Sequence, residues 1–420
     1  MPRIRAARLI HPEHPLHGQA VDIVDRGQGE WTVEAASGAA LDAQAGDRDC
    51  GQACVFQGWW DLQADFRDPG TERAEGLQQG LQAAATGGFA AVAPVASTSP
   101  CRDTPADIQA LLHRSAAAVT RALPIAALSE GRKGVQLTEA HALSQAGALG
   151  FSDDASIDRP ELLRRALEYH TALKAPVFSE AHDPGFQPDG ILHEGAVSTR
   201  LGLPGLSEEV ETVRIRRDLD ILRYAGGHLH IPVVTSASGL AAIRAAKEEG
   251  LRVTCGTTVH HLCWTDEDLD GFNRDLKLSL PLRSTQDRAA LRDAALDGTL
   301  DAVVSDHRPR TPEEHDADFM VVAPGIAGIH AVGPALFGAL RDHGADEQTA
   351  LEALGHLLGH GPRQVLGSAD DGAAWTFFDP TAALTASPSV APNTVYTAET
   401  QGIQGGIVGV VTPTGSHWNG

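Results

Sequence analysis

Lysine is nearly missing from this chain: among 420 residues it stands only at Lys133, Lys174, Lys247 and Lys277. Arginine therefore supplies almost all the positive charge, and 33 Lys and Arg face 55 Asp and Glu for a net −22. That acidic excess excludes a general affinity for nucleic acid or anionic membranes. It also suits a surface kept soluble in high salt, although GC-rich coding gives the same preference for Arg. No apolar run approaches the roughly 20 residues of a membrane span. The opening MPRIRAARLI is basic but leads into His11-Pro12-Glu13-His14, with neither an apolar leader segment nor a small-residue cleavage site, so a cytoplasmic protein is expected. Cysteine is sparse and odd in number. Cys50, Cys54, Cys101, Cys255 and Cys263 read as reduced thiols, and Cys50-x3-Cys54 has no second pair to complete a metal site. The glycine-rich runs 202–205 and 402–406 lack both a P-loop lysine and a GxGxxG that opens a helix, so a nucleotide site has little support.

What is present is an alternation. Residues 1–53 hold short apolar segments, Ile4 to Ile10, Ala20 to Val24 and Trp31 to Ala35, separated by Gly, Pro and Asp, and read as the N-terminal part of a small antiparallel β unit. From 54 to 370 the texture becomes apolar strand, polar loop, amphipathic helix, repeated. Strands are expected at 55–62, 88–95, 121–127, 147–152, 175–180, 229–235, 251–256 and 301–306. Helices are expected at Thr71 to Thr86, Pro105 to Val119, Arg159 to Leu173, Glu208 to Tyr224, Gly239 to Glu249 and Gln286 to Asp297, several opened by Ser, Thr or Asp. Eight strands alternating with helices argue for an α/β fold of the (β/α)8 TIM-barrel type. From 371 to 420 short strands return, Ala373 to Phe378 and Gly405 to Thr412.

The stretch FQGWWDLQADFRDPG, Phe56 to Gly70, carries the family signal. Asp61, the run Phe66-Arg67-Asp68-Pro69-Gly70, Glu75-Gly76 and the run Ala83 to Phe89 resemble the dihydroorotase branch of the amidohydrolase superfamily. The resemblance implies a barrel flanked by a small β-sandwich built from both termini. It also tells which strand-end residues to inspect, since barrel sites sit at the C-terminal ends of the strands. Two positions that form a His-x-His zinc pair in the family are Gln63 and Asp65 here. The second Asp of Phe151-Ser152-Asp153-Asp154 keeps a family ligand, Asp154. Glu180 and Val233 stand at two further His positions, and Asp306 keeps the family's metal-binding and catalytic aspartate. Ser97 and Ser279 replace family Asn residues, and Arg310 replaces the His of the DHAPH motif. Arg67, which meets the substrate carboxylate in the family, is retained.

Zinc chemistry of this type needs imidazole and carboxylate ligands with an open position for hydroxide. A neutral amide and a valine do not supply them, so no cofactor is expected, the alternatives being Zn²⁺ or a hard cation such as Mg²⁺, Mn²⁺ or Ca²⁺ on a carboxylate-rich site. Asp65, Asp154, Glu180 and Asp306 should converge at the barrel mouth beside Arg67. Their charge should be balanced by raised carboxylate pKa values, by an ion, or by Arg308 or Arg310, with the arginine solution favoured over an ion because Arg310 stands at a family His position. His228, His230, His260 and His261 read as structural or supporting residues. Ser152-Asp153 and Ser305-Asp306-His307 look like fragments of a catalytic triad, but neighbouring strand residues point to opposite faces and cannot form the required hydrogen bond. Two functions remain open. One is a non-catalytic structural or regulatory partner of aspartate transcarbamoylase in pyrimidine biosynthesis, as a homo-oligomer or hetero-complex, resembling inactive dihydroorotase-like members. The other is an active dihydroorotase or other cyclic-amide hydrolase with an altered metal site.

Overall fold

A computed structural model describes residues 2–6, 8–36, 47–368, 374–389, 391–400 and 402–419. The expected boundary at 370/371 and Ala373 lie outside these residues.

The centre is a curled parallel sheet. Trp59–Ala64, Phe89–Pro94 and Arg121–Ala122 pair in sequence. Ile125–Ala126, Gly150–Ser152, Val177–Phe178, Leu229–Ile231, Val253–Thr258 and Ala302–Val304 continue the series, each parallel to the last. The ends meet where Ala64 bridges His307 and the Asp65 N–H donates to the His307 carbonyl at 2.7 Å, which closes an eight-stranded barrel. The expected third strand, 121–127, is broken at Leu123-Pro124: its first part pairs with the strand before and its second with the strand after. Proline has no N–H to give to a ladder, so a strand that changes neighbours can do so there.

The expected first strand, 55–62, is also two elements. Cys54–Gln57 belongs to a sheet with Arg8–Ile10, Trp375–Asp379, Gly406–Thr412 and Gly415–Trp418, and only Trp59–Ala64 enters the barrel. Gly58 is the joint. A Cβ there would lie 2.7 Å from the Ala90 Cβ and 2.8 Å from the Ala374 Cβ, so the backbone crosses between sheets where no side chain fits. The barrel thus begins after residue 58, later than the expected 54. Facing that terminal sheet is a second, of Arg3–Ala6, Val21–Gly27, Glu30–Ala35 and Arg48–Asp49. Ile4, Leu9, Val21, Ile23, Val55, Phe377 and Val411 pack between the two, so residues from both ends of the chain share one sandwich core.

Helices cover the barrel, with ends set by capping side chains. Thr104 and Asp107 form a reciprocal capping box ahead of Pro105–Ser115, as do Ser284 and Asp287 ahead of Thr285–Leu296. The helix expected from Thr71 starts at Leu77, because turn and loop occupy residues 71–76 and the Asp68 carboxylate accepts from the Leu77 N–H at 2.9 Å. No described helix is long and apolar enough to cross a membrane.

Candidate functional site

The strand ends bring the predicted residues together around a guanidinium. The eighth strand, Ala302–Val304, ends in Ser305-Asp306-His307-Arg308. Asp306 has φ +40°, and in that left-handed turn the chain doubles back so that Arg308 Nε donates to Asp306 Oδ1 at 2.8 Å. A second nitrogen of the same head, Nη2, donates to Asp154 Oδ1 at 3.3 Å. Asp154 follows the fourth strand and is also left-handed, φ +48°; Arg67 after the first strand has φ +60°. Three non-glycine residues in a costly backbone region at the strand ends require the surrounding contacts to hold them.

Those contacts are dense. Gln63 Nε2 donates to Asp306 Oδ1 at 3.0 Å, and Ser97 Oγ donates to Asp154 Oδ2 at 2.5 Å. Asp65 Oδ1 accepts the Arg67 N–H at 2.8 Å, and its Oδ2 lies 3.6 Å from the Arg67 head. Burial disfavours the Asp154 carboxylate, but Arg308 and Ser97 outweigh it and hold the pKa below the ordinary value. Burial likewise disfavours charged Arg308, yet Asp306, Asp154, Asp65 and Glu180 together raise it well above the usual range. Glu180 has the opposite fate: burial, then the Asp154 charge, push its carboxyl up to about 8, only partly opposed by Arg308. The four expected carboxylates therefore share one electrostatic neighbourhood.

The pinning arginine is Arg308, not Arg310. Arg310 is buried behind the loop, its backbone N–H donating to Asn393 and its head to the carbonyls of Arg274 and Lys277 at 3.3 and 3.2 Å. Those carbonyls hold the head away from the mouth. Val233 lies among apolar side chains of the barrel interior with Trp60, Leu62, Phe178 and Val304. His228 Nε2 and His230 Nδ1 both meet Thr254 Oγ1, at 3.0 and 2.9 Å, and burial lowers the pKa of each. His260 Nδ1 meets the Tyr396 hydroxyl at 2.7 Å, and His261 meets Thr258 and the carbonyls of Leu280 and Pro281. All four act in packing. The triad fragments do not assemble either: the Ser305 hydroxyl donates to Asp61, while His307 Nε2 pairs with Glu75 at 2.7 Å.

Two contacts were not legible in the sequence. The first is the buried Glu75–His307 pair, in which burial lowers the imidazole pKa but Glu75 raises it further, leaving it above the ordinary value. The second is Glu314. Its Oε1 accepts from Arg67 Nη2 at 2.7 Å while its Oε2 accepts the Thr311 N–H at 2.9 Å. The pattern Thr311-Pro312-Glu313-Glu314 signals this helix cap, but not the arginine it reaches.

The donor set does not fit a zinc pair. Val233 offers no ligand, Gln63 turns an amide N–H toward Asp306, and the Asp154 and Asp306 carboxylates direct oxygens at Arg308. A dication between Asp154 and Asp306 would have to displace the guanidinium or lie beside it.

Known proteins match this architecture. The Dihydro-orotase-like family matches residues 53–238. Dihydroorotase from Anaeromyxobacter dehalogenans (strain 2CP-1 / ATCC BAA-258) is 36% identical over 355 residues, 84% of this chain and 81% of that protein. The chain belongs to the dihydroorotase family. A second dihydroorotase, from Syntrophus aciditrophicus (strain SB), is 36% identical over 328 residues, 78% of this chain and 76% of that protein. Among solved structures, L-hydantoinase (dihydropyrimidinase) from Arthrobacter aurescens superposes with a TM-score of 0.81 at 17% identity, covering 99% of this chain and 96% of that one. D-hydantoinase from Thermus sp. gives 0.73 at 17% identity, covering 99% and 95%. These two likenesses establish the fold alone. The dihydroorotase-family barrel here presents a mouth in which salt bridges join Arg308 to Asp154 and Asp306.

Proposed function

We propose that this dihydroorotase-family chain does not hydrolyse dihydroorotate and acts in pyrimidine biosynthesis as a non-catalytic structural or regulatory partner of aspartate transcarbamoylase. The observation that carries the reading is Arg308, bonded at once to Asp306 and Asp154. Opening a cyclic amide near neutral pH needs a strongly activated water. A guanidinium offers only N–H donors and cannot supply a metal-bound hydroxide. Arg67, which the family resemblance assigns to the substrate carboxylate, already holds Glu314. Barrel-face loops as the contact surface are supported by an apolar patch beside the mouth. Phe272, Met320 and Val321 are exposed there, with the Phe272 ring 6.2 Å from Phe319. The test is a dihydroorotate assay in both directions, with and without chelator, combined with sedimentation of the purified chain alone and mixed with aspartate transcarbamoylase. No turnover and a co-sedimenting complex are expected; chelator-sensitive turnover by an isolated monomer contradicts the proposal.

One observation favours the alternative of a carboxylate-rich cation site. Four carboxylates act on one guanidinium that bonds to two of them, and burial, then the Asp154 charge, push the Glu180 carboxyl up to about 8. Mg²⁺, Mn²⁺ or Ca²⁺ prefers such oxygen ligands. Stabilisation by a millimolar concentration of one of these ions, lost in Asp154→Asn, would select that reading.

A further inference from the structure

Away from the barrel mouth, the helix Thr285–Leu296 carries Arg288 and Arg292 one turn apart on the same face. Each spends a donor on the end of the short helix Val259–Cys263. Arg288 Nη1 reaches the Cys263 carbonyl at 3.1 Å, and Arg292 Nε reaches the Leu262 carbonyl at 2.8 Å. Holding two helix-end carbonyls is a structural role, but it uses one donor of five on each head. Among the described residues neither guanidinium has a salt-bridge partner, unusual in a chain of net charge −22.

The two heads line a polar cavity of about 300 Å³ together with Cys263, Trp264, Asp268 and Asp342. Its carboxylates have other partners. Asp268 Oδ2 caps Thr265, accepting from its N–H at 2.8 Å and its hydroxyl at 3.3 Å, and Asp342 Oδ1 accepts from Gln404 at 3.4 Å. Burial and then the neighbouring Arg288 charge lower the Arg292 pKa, opposed by Cys263 and Asp342, and a bound anion would relieve the repulsion between the two arginines.

We propose that this cavity is an anion site for a small phosphate monoester, with Arg288 and Arg292 as a paired clamp on the phosphoryl oxygens. Planar guanidinium forks fixed by one bond each retain parallel donors suited to such a group, and little side-chain freedom remains to be lost on binding. The volume is at the low end of ligand pockets, roughly 300–1,000 Å³, which admits a small ester and excludes a large cofactor. Half-buried Trp264 beside the clamp offers an apolar wall to the group that carries the phosphate.

Titration calorimetry of the full chain with inorganic phosphate and with phenyl phosphate, at matched ionic strength in chloride, tests this. Saturable one-to-one binding is expected, tighter for the ester, with affinity reduced about tenfold or more in Arg288→Gln and in Arg292→Gln. Arg223→Gln, at an exposed ion pair elsewhere, should bind as the parent does. Equal affinity for both probes keeps the clamp but overturns the ester and the Trp264 contact, leaving free phosphate as the ligand. Because loss of a carbonyl anchor can disturb the fold, ³¹P line broadening of both probes by the unmodified chain provides a second readout. Absence of broadening and heat with the parent, or unchanged affinity in both variants, overturns the site.

Discussion

Arg308 Nε donates to Asp306 Oδ1 at 2.8 Å, a contact between residues two apart that exists because Asp306 adopts a left-handed backbone. The same head reaches Asp154, 154 positions earlier, and so ties the eighth strand to the fourth across the barrel mouth. With side chains only 19% and 7% exposed, the Arg308–Asp154 pair is poorly screened by solvent.

Arg308→Met should therefore be strongly destabilising, by about 3–5 kcal/mol, because it leaves several carboxylates buried without their cation. Combining it with Asp154→Asn should restore part of the loss. Urea unfolding of the two single variants and the double variant measures the coupling; additive losses would mean that the bridge is not formed.

The Glu180 carboxyl makes stability depend on pH in a defined direction. Its folded pKa, about 8, lies above the ordinary 4.5, so the folded state holds this proton more tightly than the unfolded state does. Its contribution is fully favourable below about 4.5 and is lost as pH rises to about 8. Glu180→Gln should flatten that fall, leaving the variant more stable than the parent at pH values above the Glu180 pKa, by an amount on the order of a few kcal/mol. Denaturation midpoints across this interval check the sign; a parent that gains stability relative to the variant on alkalinisation contradicts it.

Glu314→Gln should free Arg67 at little cost to stability, roughly 1 kcal/mol or less, since the pair is 28% and 31% exposed. Calorimetry with dihydroorotate should then detect tighter binding than in the parent, abolished by adding Arg67→Ala. No gain in affinity would show that Glu314 does not compete with a carboxylate ligand.

Installing one imidazole should not confer hydrolysis: Gln63→His leaves Val233 without a donor and Arg308 on both aspartates. Hydrolysis by a metal pair requires its ligands as a unit, so a dihydroorotate assay of this variant should stay at background.

Much of the barrel was legible because its strands are apolar runs between polar loops, and the strand-end residues Gln63, Asp65, Asp154, Glu180 and Asp306 were placed by the family resemblance. Two strand boundaries were not. The path changes sheets at Gly58 and neighbours at Leu123-Pro124, and both changes are set by tertiary crowding and ladder partners, not by local pattern. The choice between Arg308 and Arg310 was not legible for a related reason: it depends on the left-handed turn at Asp306 and on the carbonyls of Arg274 and Lys277, which capture the second head. The Glu75–His307 and Arg67–Glu314 contacts join residues more than 230 positions apart and leave no local trace.

The central claim is that Arg308 takes the coordination that Asp154 and Asp306 would otherwise give to a metal. The most direct measurement is the zinc retained per chain, by elemental analysis, after equilibration with excess Zn²⁺ and removal of free ion. The account predicts no stoichiometric retention by the parent chain. Stoichiometric zinc that is lost in Asp154→Asn or Asp306→Asn would contradict it.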